Sequence, residues 1–161
     1  MTQHTGSIEH ELDAPPWRRV EATLMATSRG IRRAYDVRLS ETGLNLSEAS
    51  LLAWVKEYGA STQTQLAERL AIGRAAVGSV IDALERKGLV TRRPDEADRR
   101  VWLVSVTAEG SAVAERVASI DAKFRDDLRT GISRDERRQL ADTLVRLQEN
   151  ISSVLKPELS A

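Results

Sequence analysis

A chain of 161 residues carries about one domain, and its 24 Lys and Arg balance 24 Asp and Glu at a net charge of zero. The absence of Cys excludes disulfides, thiolate chemistry and thiol redox sensing, and the only two histidines, His4 and His10, fall in a polar N-terminal stretch, which excludes a His-based triad or His-rich metal site from the folded body. No apolar run approaches the ~18 residues of a membrane span, the N-terminus lacks a signal peptide's basic-then-apolar layout, and with aromatics at only 4% the core must be built from Leu, Val, Ala and Ile, so the chain reads as cytoplasmic and largely helical.

Residues 1–12 have no sustained period and read as a disordered tail. Asp13 is placed to cap a helix that Ala14-Pro15-Pro16 leads into, and Val20, Leu24, Ile31, Tyr35 and Leu39 recur at helical multiples until Gly43 ends the run. Ser47 is read as the cap of a second helix with Leu51, Leu52 and Val55 on its apolar face, stopping at Tyr58-Gly59. Thr62-Gln63-Thr64-Gln65 is a capping-box pattern that opens a very short third helix, inward at Leu66 and Leu70 and broken off at Gly73. A fourth helix follows at once with Val77, Val80, Ile81 and Leu84 inward, and Lys87-Gly88 as its stop.

Leu89 to Arg93 and Val101 to Val106 read as two strands of a hairpin, because Trp102, Val104 and Val106 alternate with Leu103 and Ser105 around a charged tip from Pro94 to Arg100. Thr107 caps a fifth helix carrying Val113, Val117, Ile120, Phe124 and Leu128. Ser133-Arg134-Asp135-Glu136 is another capping box, opening a sixth with Leu140, Leu144, Leu147, Ile151 and Val154.

The order helix, short helix, helix, two-stranded hairpin is that of a winged helix-turn-helix, and the expected fold is mainly α with a small β-hairpin wing. The fourth helix can enter a major groove about 12 Å wide, while the hairpin reaches sideways to phosphates or the minor groove. Residues 59–106 carry eight basic residues against six acidic ones, and Arg92-Arg93 and Arg99-Arg100 bracket an acidic Pro94-Asp95-Glu96-Ala97-Asp98. Such local clustering of positive charge suits nucleic acid. The expected organisation is a single domain over 13–161, with a winged helix-turn-helix at 46–106 and dimerisation helices at 15–42 and 107–155 whose apolar stripes one small domain cannot fully bury.

Three blocks now carry a resemblance: Leu84-Glu85-Arg86-Lys87-Gly88-Leu89-Val90, then Asp98-Arg99-Arg100, then Thr107-Ala108-Glu109-Gly110. With the helix order, they make residues 17 to 155 resemble the MarR-type transcriptional regulators. The resemblance implies a homodimer joined through the first, fifth and sixth helices, a pseudo-palindromic duplex operator and release by a small-molecule effector. It implies no cofactor and no metal, since the Cys and His used by metal- or oxidation-sensing relatives are missing.

Arg74 in the first turn of the fourth helix is the candidate for a phosphate or guanine contact, and the small Ala75, Ala76, Gly78 and Ser79 would let that helix approach base edges closely. Where the family often has a bulky polar residue this chain has Ser79, so shape readout is expected to carry more of the specificity. Arg92 and Arg93 are candidate phosphate contacts. Ser61, Thr62, Gln63 and Thr64 could donate to the backbone, with Thr62 more simply an N-cap. By resemblance, one of Arg99 and Arg100 lies in the minor groove and the other pairs with Asp82, locking wing to helix; Arg99 is assigned to DNA and Arg100 to Asp82, or the two exchanged. Trp17, Arg18, Tyr35, Trp54 and Tyr58, with Arg32, are the effector candidates, against the simpler reading of the aromatics as core.

Gly73-Arg74-Ala75-Ala76-Val77-Gly78-Ser79 is not a phosphate-binding loop, for it lacks the Lys and a preceding strand. Carboxylate pairs such as Asp126-Asp127 point to different helix faces, so no catalytic residue is assigned and an enzyme is not expected. The alternative to a DNA-binding regulator is a winged helix used for protein–protein assembly, which would favour apolar and aromatic anchors over the arginine-bearing tip found here.

Overall fold

The computed structural model describes residue 15 and residues 19–155; the expected tail at 1–12 and the Asp13 cap lie outside them. In chain order the elements are α1 (Val20–Leu39), a 3-10 turn (Ser40–Thr42), α2 (Leu46–Tyr58), β1 (Ser61–Thr62), α3 (Gln63–Leu70), α4 (Arg74–Arg86), β2 (Val90–Pro94), β3 (Trp102–Val106), α5 (Ala108–Leu128) and α6 (Arg134–Leu155). Two compact units divide between Phe124 and Arg125.

In the first unit the stripes of α2, α3 and α4 meet the sheet. Leu51 and Leu52 of α2, Leu66 of α3, Val77, Ile81 and Leu84 of α4, and Val90 of β2 are fully buried, and Ala114 and Val117 of α5 close the same core. Each such aliphatic side chain contributes about 1.5–3 kcal/mol. An exposed ion pair such as Lys56–Glu115, at 3.5 Å, adds little by comparison. The core is therefore what holds the unit, and it is built as the spacing of its apolar residues dictates.

The sheet has three strands, not the two expected. Ser61 and Thr62 pair antiparallel with Val104 and Leu103, giving the order β1-β3-β2. The other edge is the hairpin, running from Val90 opposite Val106 to Pro94 opposite Trp102. β1 then passes directly into α3 through the Thr62/Gln65 capping box: Thr62 Oγ1 accepts from Gln65 N at 3.2 Å, and Gln65 Oε1 accepts from Thr62 N at 2.8 Å. The second helix is capped by Asn45 and not by Ser47. Asn45 Oδ1 accepts from Glu48 N, and Glu48 Oε2 accepts from Asn45 N, both at 3.0 Å, which satisfies two amides that Ser47, already inside the helix, cannot reach.

Glu48 is nearly buried, and Lys87 just past α4 donates to both its oxygens at 2.9 Å and to Gly43 O at 2.8 Å. This pairing joins the α1–α2 turn to the end of α4. Between α3 and α4 the left-handed residue is Ala71, at φ 52°, while Gly73 is the N-cap of α4 at an ordinary φ of −60°.

Where the hairpin meets α5, Thr107 Oγ1 donates to Gly88 O at 2.7 Å and accepts from Gly110 N at 2.9 Å. A Cβ on Gly110 would stand 1.9 Å from Leu89 O, so no other residue fits there. The block Lys87-Gly88-Leu89 and the block Thr107-Ala108-Glu109-Gly110 are thus two halves of one joint.

In the second unit, Ser133 and Glu136 form the expected capping box at the start of α6, with Glu136 Oε2 accepting from Ser133 N at 2.8 Å and Ser133 Oγ accepting from Glu136 N at 3.2 Å. Not one of the 22 residues of α6 is buried. Leu140 is 55% exposed, Ile151 48% and Val154 84%. Among the described residues, no helix is long and apolar enough to cross a membrane.

Candidate nucleic-acid interface

Three pieces of the first unit present exposed polar groups on buried supports: the start of α3, the first half of α4 and the hairpin tip. In α4 the burial pattern turns Val77, Ile81 and Leu84 inward and leaves Arg74, Ala75, Ala76 and Ser79 exposed. Gly73 caps the helix without a side-chain hydrogen bond, so the first-turn amides are left for another acceptor. Ser79 Oγ donates back to Ala75 O at 3.2 Å. Gly78 is half-buried, for the Gln63 side chain lies across it: Gln63 Nε2 donates to Arg74 O at 3.0 Å and comes within 3.0 Å of where a Cβ on Gly78 would be. Gln63 and Gly78 therefore join α3 to α4. Thr62 is occupied by its capping box, while Thr64 is exposed. Ser61 is buried, its hydroxyl donating to Gly59 O at 3.1 Å.

The hairpin tip is closed by its own acids. Asp95 Oδ1 accepts from Ala97 N at 2.9 Å and Asp98 Oδ1 from Arg100 N at 3.0 Å, while Asp95 N donates to Val101 O at 2.8 Å and Val101 N to Asp98 O at 2.9 Å. These turns direct the acidic side chains onto the loop's own amides. Arg93, Arg99 and Arg100 are exposed around them, beside Trp102, which is 57% exposed.

Asp82 does not pair with Arg100. Its carboxylate meets Arg92, whose Nη2 stands 2.5 Å from Asp82 Oδ1, and whose Nη1 donates to Glu85 Oε2. The physical reason is position. Arg92 sits at the root of β2, close after the turn that leaves α4, whereas Arg100 sits in the tip loop. Burial opposes the charge on Arg92, but hydrogen bonds to Asp82 and Glu85 outweigh it and hold the guanidinium above its ordinary pKa. Arg92 is thereby engaged by two protein carboxylates and is half-buried, unlike Arg93, Arg99 and Arg100.

The effector candidates fall in separate places. Trp17 and Arg18 lie outside the described residues. Tyr35 donates to Asp121 Oδ1 at 2.7 Å and meets the Phe124 ring edge-on at 4.5 Å, bracing α1 on α5. Trp54 and Tyr58 stack at 4.1 Å with Arg69 over the Trp54 ring. A hydrogen bond to Glu57 raises the Tyr58 phenol above its ordinary pKa. Arg32 lines an open groove of about 240 Å³ with Leu24, Thr27, Ser28, Ile31 and Leu46, a feature that spacing did not reveal. Among the described residues no cluster of three or more His, Asp or Glu is placed to hold a metal ion.

The MarR family model matches residues 44–102, from just before α2 to the first residue of β3. The uncharacterized HTH-type transcriptional regulator YdgJ of Bacillus subtilis (strain 168) is 30% identical over 135 residues, covering 83% of this chain and 82% of that protein. Among solved structures, Bordetella bronchiseptica BpsR, whose DNA binding is regulated by 6-hydroxynicotinic acid, superposes with a TM-score of 0.77 at 21% identity, over 84% of this chain and 96% of its own. S. aureus MepR in complex with DNA superposes with a TM-score of 0.76 at 21% identity, over 81% of this chain and 97% of its own. These last two likenesses establish the fold.

Proposed function

The chain belongs to the MarR family and is a DNA-binding transcriptional regulator; on that premise we propose that it acts in the cytoplasm as a homodimeric repressor on a pseudo-palindromic operator. The observation that carries this reading is the exposed basic tip of Arg93, Arg99 and Arg100 mounted on the same core as the exposed first half of α4. The exposed face of α4 enters the major groove. There Arg74 and the first-turn amides meet a phosphate or a guanine edge, and Ala75 and Ala76 admit thymine methyls. Arg99 and Arg100 lie along the adjacent minor groove, Arg93 faces phosphate, and Thr64 adds a backbone contact.

The apolar stripes of α6 and α1 supply the dimer contact, with Leu140, Leu144, Leu147, Ile151 and Val154 facing the partner. The exposure of Leu140, Ile151 and Val154 in a single chain, with Leu144 and Leu147 only half-buried, supports this. An aromatic carboxylate is the effector class that suits the Arg32 groove, and the regulation of BpsR by 6-hydroxynicotinic acid supports that class. Binding it shifts the dimer away from its operator.

Selection of genomic and random duplexes by the purified protein at near-physiological salt tests the reading. Enrichment of an inverted repeat with half-sites about one helical turn apart is expected. A folded dimer that enriches no sequence would leave the protein–protein assembly reading in its place.

A further inference from the structure

We infer that Arg92 is the positioning residue of the wing, clamping its root to α4 so that both tip arginines, Arg99 and Arg100, are left to bind DNA; this rests on the DNA-binding reading above. Asp82 and Glu85 stand three residues apart on one face of α4, the spacing that brings two side chains side by side. Arg92 meets both, through Nη2 to Asp82 Oδ1 at 2.5 Å and Nη1 to Glu85 Oε2. Its main chain joins them, since Arg92 N donates to Glu85 Oε1 at 3.1 Å.

That amide belongs to β2, an outer strand of the sheet. The Glu85 carboxylate therefore satisfies an edge donor and the side chain of the same residue together. Three contacts at one residue fix the strand's height and rotation against the helix, and a planar guanidinium resists swivelling as an ammonium would not. The tip loop begins three residues further along, about 10 Å at strand rise. Rocking of a few degrees at the root would move the arginines by several tenths of an ångström or more, enough to degrade a hydrogen bond. A clamp at the root thus sets where Arg99 and Arg100 arrive relative to Arg74.

The selected duplex serves as probe, with affinities measured across salt for the intact protein and for Arg92→Ala, Arg92→Lys, Asp82→Asn, Arg92→Ala/Asp82→Asn, Arg99→Ala and Arg100→Ala. Arg92→Ala is expected to weaken binding about tenfold, the scale of coupling within one charged network, with the slope of log affinity against log salt unchanged. Arg99→Ala and Arg100→Ala each flatten that slope by about 0.9, the signature of one lost phosphate contact. The double variant loses no more than Arg92→Ala alone, and Arg92→Lys recovers part of the loss. In the free protein, amide exchange of β2 and β3 accelerates in Arg92→Ala and, more mildly, in Asp82→Asn, which keeps the shape of the side chain.

A flattened slope in Arg92→Ala, or losses that add in the double variant, would make Arg92 a DNA contact and overturn the inference. Unchanged affinity with unchanged exchange would overturn it as well. If exchange accelerates in Arg92→Ala while Arg99→Ala and Arg100→Ala leave affinity and slope untouched, the clamp stands and the assignment of the tip to DNA fails.

Discussion

Helices α4 and α6 carry the same kind of apolar stripe and meet opposite fates. Val77, Ile81 and Leu84 of α4 are fully buried within their own chain, whereas Leu140, Ile151 and Val154 of α6 remain about half or more exposed. Periodicity reports that a helix has a face to hide. It does not report what hides it. In α4 the covering surface arrives with α2, α3 and the sheet; in α6 no residue is buried within the chain.

Mutations can break that contrast or sharpen it. Gly110→Ala attacks the covered region hardest, because the new methyl meets the Leu89 carbonyl at 1.9 Å and backbone must move; a loss of more than about 3 kcal/mol is expected from overpacking of this kind, read by urea unfolding. Leu84→Ala should cost about 2–5 kcal/mol by the same measurement. Its counterpart in α6, Leu144→Glu with Leu147→Glu, should do something different in kind: sedimentation should show monomers, with the helices of the first unit intact by circular dichroism. A dimer that survives this pair would move the interface elsewhere.

Smaller effects follow where no stripe is touched. Ala71→Gly relieves a left-handed backbone at φ 52° and should raise stability by about 0.5–1 kcal/mol, visible as a higher Tm. Smallest is the cap of α6. The side-chain hydrogen bond from Ser133, then its backbone amide, hold the Glu136 pKa below its ordinary value. A carboxylate lowered in the folded state contributes above its unfolded pKa and loses that contribution as pH falls through the folded one. Ser133→Ala should therefore shift the Glu136 titration upward, measured by carboxyl NMR, and leave the protein less dependent on acid pH at this helix end.

Most of the architecture was legible because it rests on repeated signals. The stripes of α2, α4 and α5, the Thr62/Gln65 and Ser133/Glu136 boxes and the Lys87-Gly88 stop each combine several residues that agree. What was not legible rests on one or two. A strand of Ser61 and Thr62 is too short to alternate, and only its partner β3 defines it. Asn45 and Ser47 are both good caps by type, and the choice depends on which one Glu48 can reach. The left-handed turn fell on Ala71, against the preference for the nearby glycine.

At the candidate interface, the exposure of Arg74, Ala75, Ala76 and Ser79 and of the basic tip matches what the apolar spacing of α4 and the hairpin pattern lead one to expect. The partner of Asp82 could not: Arg92, Arg99 and Arg100 are alike in type, and only the hairpin register brings Arg92 beside α4. The Arg32 groove draws on residues of α1 together with Leu46 of α2 and has no signature along the chain.

The self-closed loop at the hairpin tip has an evolutionary consequence. Asp95 and Asp98 complete the turns from within, and Val101 pairs back to Asp95 and Asp98, so the loop asks nothing of the core for its shape. Arg99 and Arg100 can be exchanged, and the loop lengthened or recharged, without disturbing Leu84, Val90 or Val104 beneath it. Under the DNA-binding arrangement proposed above, drift at the tip is a route to new promoters that leaves the scaffold under unchanged selection.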